Sequence, residues 1–246
     1  MSKLVLLNTR LFVSGADFTS NSNKVELEME ADDVDATNFG SGGWKETLQG
    51  LISTKITGEG QWEAGDAGKV DNALWAELSA GSQSPWTVCP VDAADGALAY
   101  FTKAVDTKYA LLGAVGDVAP WSAEGMGSWP VARGVVAHPP GTARTANGTG
   151  TGVQLGAVAV GQYLYASLHV LSVAGTSTPT LTVVIESDAD NSFASPITQI
   201  TFAAATARGG QIARTAGAIA DTWYRAKWTI TGSSPSFLFL VAFDVR

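Results

Sequence analysis

Between Lys24 and Glu30 apolar and acidic residues alternate: Val25, Leu27 and Met29 fall on one side, Glu26, Glu28 and Glu30 on the other. A period of two marks a strand with one buried and one wet face. Same-face neighbours along a strand stand about 7 Å apart, so three successive carboxylates repel unless water screens them. Asp32, Asp33 and Asp35 extend the acidic run. Phe39–Gly50 then begins as a loop, with Gly40, Gly42, Gly43 and Trp44, and a second strand is predicted over Leu51–Trp62. Gly58 and Gly60 inside that strand mark bulges or close backbone approach.

Elsewhere the same pattern predicts a first strand over Leu4–Phe12 and a polar loop over Asp17–Asn23. One helix is predicted, over Asp71–Ala80. Asp71 suits its N-cap, Gly81 its C′ position, and Leu74, Trp75 and Leu78 form a stripe expected to seal it on a sheet. Strands are predicted at Pro85–Cys89, Leu98–Val105, Tyr109–Val115, Val118–Gly125 and Ser128–His138. The small-residue segment from His138 to Gly152, with Pro139 and Pro140, reads as a linker. Seven strands are predicted after it: Val153–Val160, Tyr163–Val173, Thr180–Ser187, Thr198–Ala204, Gly210–Thr215, Thr222–Thr231 and Ser236–Val245. Tyr224, Ala226, Trp228 and Ile230 share one face, and Phe237, Phe239, Val241 and Phe243 another, as two apolar sheets pressed together would require. The expected class is all-β with one short helix, divided into residues 1–140 and a jelly-roll-like β-sandwich over 141–246.

Composition agrees. The 246 residues are 46% hydrophobic and 15% charged, with 27 glycines. No run approaches the roughly 20 apolar residues of a membrane helix, so no membrane partner is expected. The N-terminus turns polar too soon for a secretory signal, which points to synthesis and assembly in a cytoplasm. A single cysteine, Cys89, rules out an internal disulfide and a thiolate metal cluster. Charge is uneven: residues 1–140 carry 18 acids and 9 bases, residues 141–246 carry 5 acids and 6 bases. That balance argues against binding nucleic acid by neutralising phosphates. It is compatible with a surface that nucleic acid must pass without sticking.

Candidate chemistry is sparse. His138 and His169 lack the spacing of a metal site, and Gly40-Ser41-Gly42-Gly43 is not followed by the Lys and Ser/Thr of a phosphate loop. Asp32-Asp33-Val34-Asp35 and Glu186-Ser187-Asp188-Ala189-Asp190-Asn191 offer oxygens at alternate residues. Both lack the sixth-position glycine and late glutamate of a calcium loop. No nucleophile–base set is evident, so no enzyme activity and no cofactor are expected. The eight tryptophans suit core and interface roles, and aromatic faces can also stack on sugars.

The order of features over about residues 1–140 resembles the major tail, or tail tube, proteins of long non-contractile-tailed bacteriophages. It runs from the alternating strand Lys24–Glu30 through Asp32–Thr37, Phe39-Gly40, Trp44–Leu51 and Thr57–Trp62 to the helix. Gly96–Phe101, Gly113–Val118 and Gly125–Val136 follow. The resemblance implies a tail-tube-type β-barrel or sandwich carrying an outer C-terminal sandwich. It implies homo-hexameric rings stacked into a virion tail tube through which DNA passes without specific binding. Tape measure, tail terminator and distal tail proteins are the implied partners. On that reading Glu26, Glu28 and Glu30 are candidates to line the channel. Outer solvent, or pairing with lysines and arginines of a neighbour, remains the alternative for them. Phe39, Trp44, Leu48 and Leu51 are candidate ring-to-ring contacts, or else part of a turn capping the subunit's own core. A carbohydrate-binding or receptor-binding tail component is the competing function. It requires a sugar-stacking aromatic patch on residues 150–246.

Overall fold

The computed structural model describes residues 5–246. Leu4, the expected start of the first strand, lies outside them. Among the described residues fourteen strands form one continuous hydrogen-bonded network with a single α-helix, so the fold is all-β with one helix as its pattern requires. In chain order they are β1 (Arg10–Val13), β2 (Ala16–Asp17), β3 (Ser22–Asp35), β4 (Thr47–Gln61), helix α1 (Val70–Ala80), β5 (Gln83–Cys89), β6 (Leu98–Leu111), β7 (Pro120–Gly127) and β8 (Ala132–His138). Then follow β9 (Gly148–Thr149), β10 (Val153–Gln154), β11 (Tyr163–Asp188), β12 (Ile197–Thr201), β13 (Gly209–Ala216) and β14 (Trp223–Val245).

The first half runs β3-β4-β7-β6-β5-β1-β2, all antiparallel. It wraps a core of Leu11, Val13, Phe18, Ile56, Val70, Leu74, Trp86, Trp121 and Ala123. Helix α1 starts one residue early, with Lys69 at the N-cap and Asp71 in the first turn. There the Asp71 carboxylate meets the favourable end of the helix dipole and accepts from Trp62 Nε1 (3.2 Å) and Tyr109 Oη (2.8 Å). Gly81 ends the helix in the left-handed conformation, φ +59°, as expected. Trp75 does not seal it. The buried positions are Val70 and Leu74, one turn apart, and Trp75 lies about 100° further round, 64% exposed.

In the second half β11 and β14 pair along almost their whole lengths, from Leu164↔Val245 to Asp188↔Trp223. Each contains two of the strands expected separately. The ribbon must fold back on itself. Ala216 pairs with Tyr163, and Trp223 pairs with Asp188. Seven residue steps span at most about 25 Å, whereas a straight strand from 163 to 188 would run about 80 Å. Register shifts between Val170 and Thr180, and left-handed residues Gly175, Ser177, Thr178, Gly232 and Ser234, make the corner. The two arms of the fold enclose Leu164, Leu168, Leu181, Val183, Tyr224, Trp228, Phe237, Phe239 and Phe243. The two apolar faces seen in the sequence thus meet.

The segment read as a linker is strapped down. Arg144 exchanges backbone bonds with Phe237, β9 pairs with β14, and Asn147 Oδ1 accepts from the Ile230 N–H (2.7 Å). Its glycines permit this: a Cβ on Gly148 would sit 2.6 Å from the Trp228 ring. The halves are also joined directly. β8 pairs with β14, and Phe12, Phe101 and Val136 share a cluster with Tyr165, Leu171 and Leu240.

Both histidines are core groups. The Gly15 N–H donates to His169 Nδ1 (3.2 Å), which fixes the proton on Nε2, facing Thr87 Oγ1 at 2.8 Å. His138 lies 4.5 Å from the Trp228 ring and 4.3 Å from Phe239, and its Nε2 accepts from Arg144 Nε at 3.4 Å. Burial, with Arg144 beside it, pushes His138 down to about 4, and burial pushes His169 down to about 3. Asp106 goes the other way. Burial raises it to about 7 although Trp86 Nε1 donates to its Oδ1 at 2.8 Å, and its Oδ2 has no partner. Below pH 6.5 the unfolded histidines take up protons that the folded ones refuse, so stability falls on acidification. Asp106 opposes this, because the folded carboxyl holds its proton up to about 7 while the unfolded one releases it above 3.8. The expected outcome in urea titrations between pH 6.5 and 5 is a decline in unfolding free energy with acidification. In Asp106→Asn that decline steepens by about 1.4 kcal/mol per pH unit; an unchanged slope would refute the assignment.

Candidate functional site: the β3–β4 arm

β3 pairs with β4 along its length, and with no other strand among the described residues. β4 has a second partner, β7, only from Lys55 to Gln61. Beyond Lys55 the two strands run on as a hairpin arm past the body of the molecule. Its root is held tightly. Trp121 Nε1 donates to Asn21 O (3.0 Å), a Cβ on Gly58 would strike Leu11 and Trp121, and one on Gly60 would lie 1.8 Å from Asn21 O. The glycines in this strand therefore serve close approach, as expected.

Alternation along β3 gives the arm two faces. Val25 and Leu27 pack on the core beside Ile56. The same apolar face continues outward as Met29 and Ile52, both about half exposed. With Thr54, Trp129, Pro130, Val131 and Arg246 they line a groove of about 210 Å³ at the arm's base. On the opposite face, register sets Glu26 against Thr57, Glu28 against Lys55 and Glu30 against Ser53, with Glu124 of β7 beyond Thr57. The expected ladder of like charges is interleaved with lysines. Lys24 lies 2.9 Å from Glu26 and 3.8 Å from Glu59, Lys55 2.8 Å from Glu28, and Lys108 3.0 Å from Glu124. Lys24 and Lys55 are raised by their hydrogen bonds to Glu26 and Glu28. Glu26, Glu28, Glu30, Glu59 and Glu124 against three lysines leave the face acidic and wet.

Past a register shift between Ala31 and Asp33, Val34 pairs with Leu48 and Asp35 with Thr47. The turn is ordered by its own bonds. Asn38 Oδ1 accepts from the Gly40 N–H, Asn38 O from the Ser41 N–H, and Thr37 Oγ1 from the Glu46 N–H. Its large side chains touch no core. Phe39 is fully exposed, Trp44 is 82% and Leu51 81% exposed, and Val34 and Leu48 are also open to solvent. The four expected contact residues Phe39, Trp44, Leu48 and Leu51 therefore all sit on the arm. The exposed Met29, Val34 and Ile52 were not singled out as contacts from sequence; the alternation that placed Met29 beside Leu27 carried the signal for Met29, whereas Val34 falls with Asp32 on the carboxylate face.

The remaining acidic candidate is already committed. Glu186 is buried against Arg225 (2.9 Å) and Lys227 (2.6 Å). Burial raises its carboxyl, but the two cations outweigh that and hold it below the ordinary range. Asp188, the last residue of β11, accepts from the Ala189 and Ser195 N–H groups and Asp190 from that of Ser192, so the turn to β12 spans 189–196 and Glu186 lies in the strand before it. Within residues 150–246 the aromatic rings of Tyr165, Phe193, Phe202, Tyr224, Trp228, Phe237, Phe239 and Phe243 are buried, while Tyr163 and Trp223 are partly exposed.

No family model matches the chain, and no curated protein matches it in sequence. Among solved structures it is similar to a chain in the virion of a native gene transfer agent particle, with 17% identity over 53% of this chain and 98% of that one, TM-score 0.44. It is similar to a chain in the tail of an empty gene transfer agent particle of C6 symmetry, with 19% identity over 54% and 98%, TM-score 0.43. It is also similar to the SPP1 Dit (gp 19.1) protein, a paradigm of the hub adsorption apparatus in phages infecting Gram-positive hosts. There the identity is 13% over 97% and 99% of the chains, TM-score 0.35. These are distant likenesses, all to virion or tail components.

Because Trp44 and Leu51 touch no core, Trp44→Ser and Leu51→Ser are expected to leave the subunit's unfolding free energy within about 0.5 kcal/mol of the parent. Chemical denaturation of dilute protein measures this. A loss of 2 kcal/mol or more would mean the arm packs on its own subunit.

Proposed function

We propose that this protein is a structural subunit of a phage tail, one that assembles with copies of itself into stacked rings forming a tail tube. The observation that carries the reading is the β3–β4 arm: a hairpin bonded along one side of β3 only, with its apolar face and tip uncovered. An edge of this kind is a template for another chain, and closing strands between copies into a barrel removes the edges. In the family that residues 1–140 resemble, the ring holds six copies and encloses a DNA channel. On this reading Glu26, Glu28 and Glu30 face the bore, and repetition around the ring multiplies the residual negative charge of each copy. The Debye length is about 8 Å at physiological salt, so such repulsion acts only at near contact. It would keep DNA from adsorbing to the wall without resisting its passage. Phe39, Trp44, Leu48 and Leu51 are assigned to contacts between copies, and residues 141–246 to an outward-facing sandwich. Most aromatics of that sandwich are buried, which favours the architectural role over the competing glycan-binding one. The part played is architecture, with no cofactor and no catalysis, in the tail of a virion put together in a host cytoplasm. Tape measure, tail terminator and distal tail proteins would meet the tube inside and at its ends.

Negative-stain microscopy of the purified protein over a range of concentration and salt tests this. Rings or hollow filaments about 10 nm wide are expected, from a domain radius of roughly 15–20 Å plus a pore. A product that stays monomeric throughout would overturn it.

A further inference from the structure

Uncovered apolar side chains stand at both ends of β4. From Thr47 to Gln61 the strand runs about 45 Å. The arm's turn, with the exposed Phe39 and Trp44, lies at one end. At the other, Gln61 pairs with Pro120, the Trp62 N–H donates to Ala119 O (2.8 Å), and β6 joins β7 through the turn 112–119. That turn carries one charge, Asp117, and leaves Leu112, Val115 and Val118 open to solvent. It is ordered by its own bonds: the Leu112 N–H donates to Pro120 O (3.2 Å) and the Asp117 N–H to Ala114 O (3.3 Å). Leu112 is held in the left-handed region, φ +72°. A bulky residue is strained there, and such strain concentrates at functional positions. Beside it lies a groove of about 410 Å³, lined by Leu111, Leu112 and Pro120 and by the polar Asn23, Glu59 and Ser122.

We propose that the β6–β7 turn receives the arm tip of a second copy in the next ring, with Trp44 in the groove and Phe39 against Val115 and Val118. The inference rests on the stacked rings proposed above and names the surface on which one ring meets the next. Stacking itself selects the occupant. Copies repeated along a tube by a head-to-tail contact bring one end of each subunit against the opposite end of another. Barrel strands tilt by about 35–45° from the barrel axis, so the two ends of β4 fall on opposite faces of a ring. The chemistry fits an indole: its ring is apolar, while its N–H calls for an acceptor, and the groove has both apolar and polar walls. The area fits a repeated contact. Two aromatic side chains bury about 150–250 Å² each, short of the ~800 Å² per partner of a stable one-to-one complex. One tip on one turn therefore holds no dimer, and dilute subunits stay single. Several such contacts in parallel hold two rings, because each contact after the first is intramolecular.

Two variants separate the ends: Phe39→Ser with Trp44→Ser at the tip, and Leu112→Gly with Val115→Ser at the turn. All four side chains are exposed, and glycine accepts the left-handed conformation without strain, so urea midpoints at the parent value are expected for both. Each variant alone is expected to form rings but to need about tenfold or more protein than the parent to form filaments, read by sedimentation and negative-stain microscopy. Rings of the two variants, mixed, keep one sound tip face and one sound turn face between them. They are expected to pair and to stop at pairs, which a misfolded variant would not do. If the turn variant makes filaments as readily as the parent, if its rings pair with one another through their tips, if mixed rings fail to pair, or if either variant loses the ring itself, the docking assignment is wrong though the tube reading stands. If the parent never assembles, the tube reading falls and the docking with it.

Discussion

A β-strand bonded on one side leaves every second backbone N–H and C=O aimed at its open edge, and those groups must be satisfied by water or by another strand. β3 presents such an edge over fourteen residues. Proteins that remain single usually shorten, bulge or cover edges of this length. Here the strand is long, its outer part leaves the core, and apolar side chains accompany it: Met29, Val34, Leu48, Leu51 and Ile52. Lysines do stand on its wet face, but Lys24 and Lys55 are spent on Glu26, Glu59 and Glu28. They relieve repulsion within the face and leave the edge open.

The rest of the molecule gives that arm a fixed direction. Its root is clamped by Trp121 and by the glycines at 58 and 60, where any side chain would collide with Leu11, Trp121 or the Asn21 carbonyl. The body behind it is tied across both halves. The β1–β2 turn leans on β11 and β13 through the Gly15–His169 bond, with a Cβ on Gly15 barred by the Gly209 backbone 2.5 Å away. β8 extends the tie by pairing with β14. An element that must find its partner gains from being held in one orientation, because less freedom is lost on docking.

Much of this was legible in the residues. Alternation from Val25 to Glu30 gave a strand with the right faces, and the two apolar faces of the C-terminal half were correctly read as meeting. What failed did so for physical reasons. Asp32, Asp33 and Asp35 have poor strand propensity, so β3 was cut short, yet pairing with β4 carries them. Trp75 was assigned to the helix's sheet side through the stripe Leu74, Trp75 and Leu78, whereas the i, i+4 pair Val70 and Leu74 sets that side. The corners of β11 and β14 place Ser177, Thr178 and Ser234 at positive φ, a conformation that no local pattern announces, and the breaks were taken for strand ends. Lys24 shares the acidic face by the same alternation, but Lys55 and Lys108 join it only once register is known.

Hydrogen–deuterium exchange, read on peptides covering Ser22–Asp35 and Thr47–Thr54 in dilute and in assembled protein, tests the central claim most directly. If copies join through the arm, amides of β3 that exchange freely in the single subunit become protected on assembly, while those of the buried β11–β14 core change little. Equal exchange of β3 in both states, or protection confined to residues 141–246, would contradict the account.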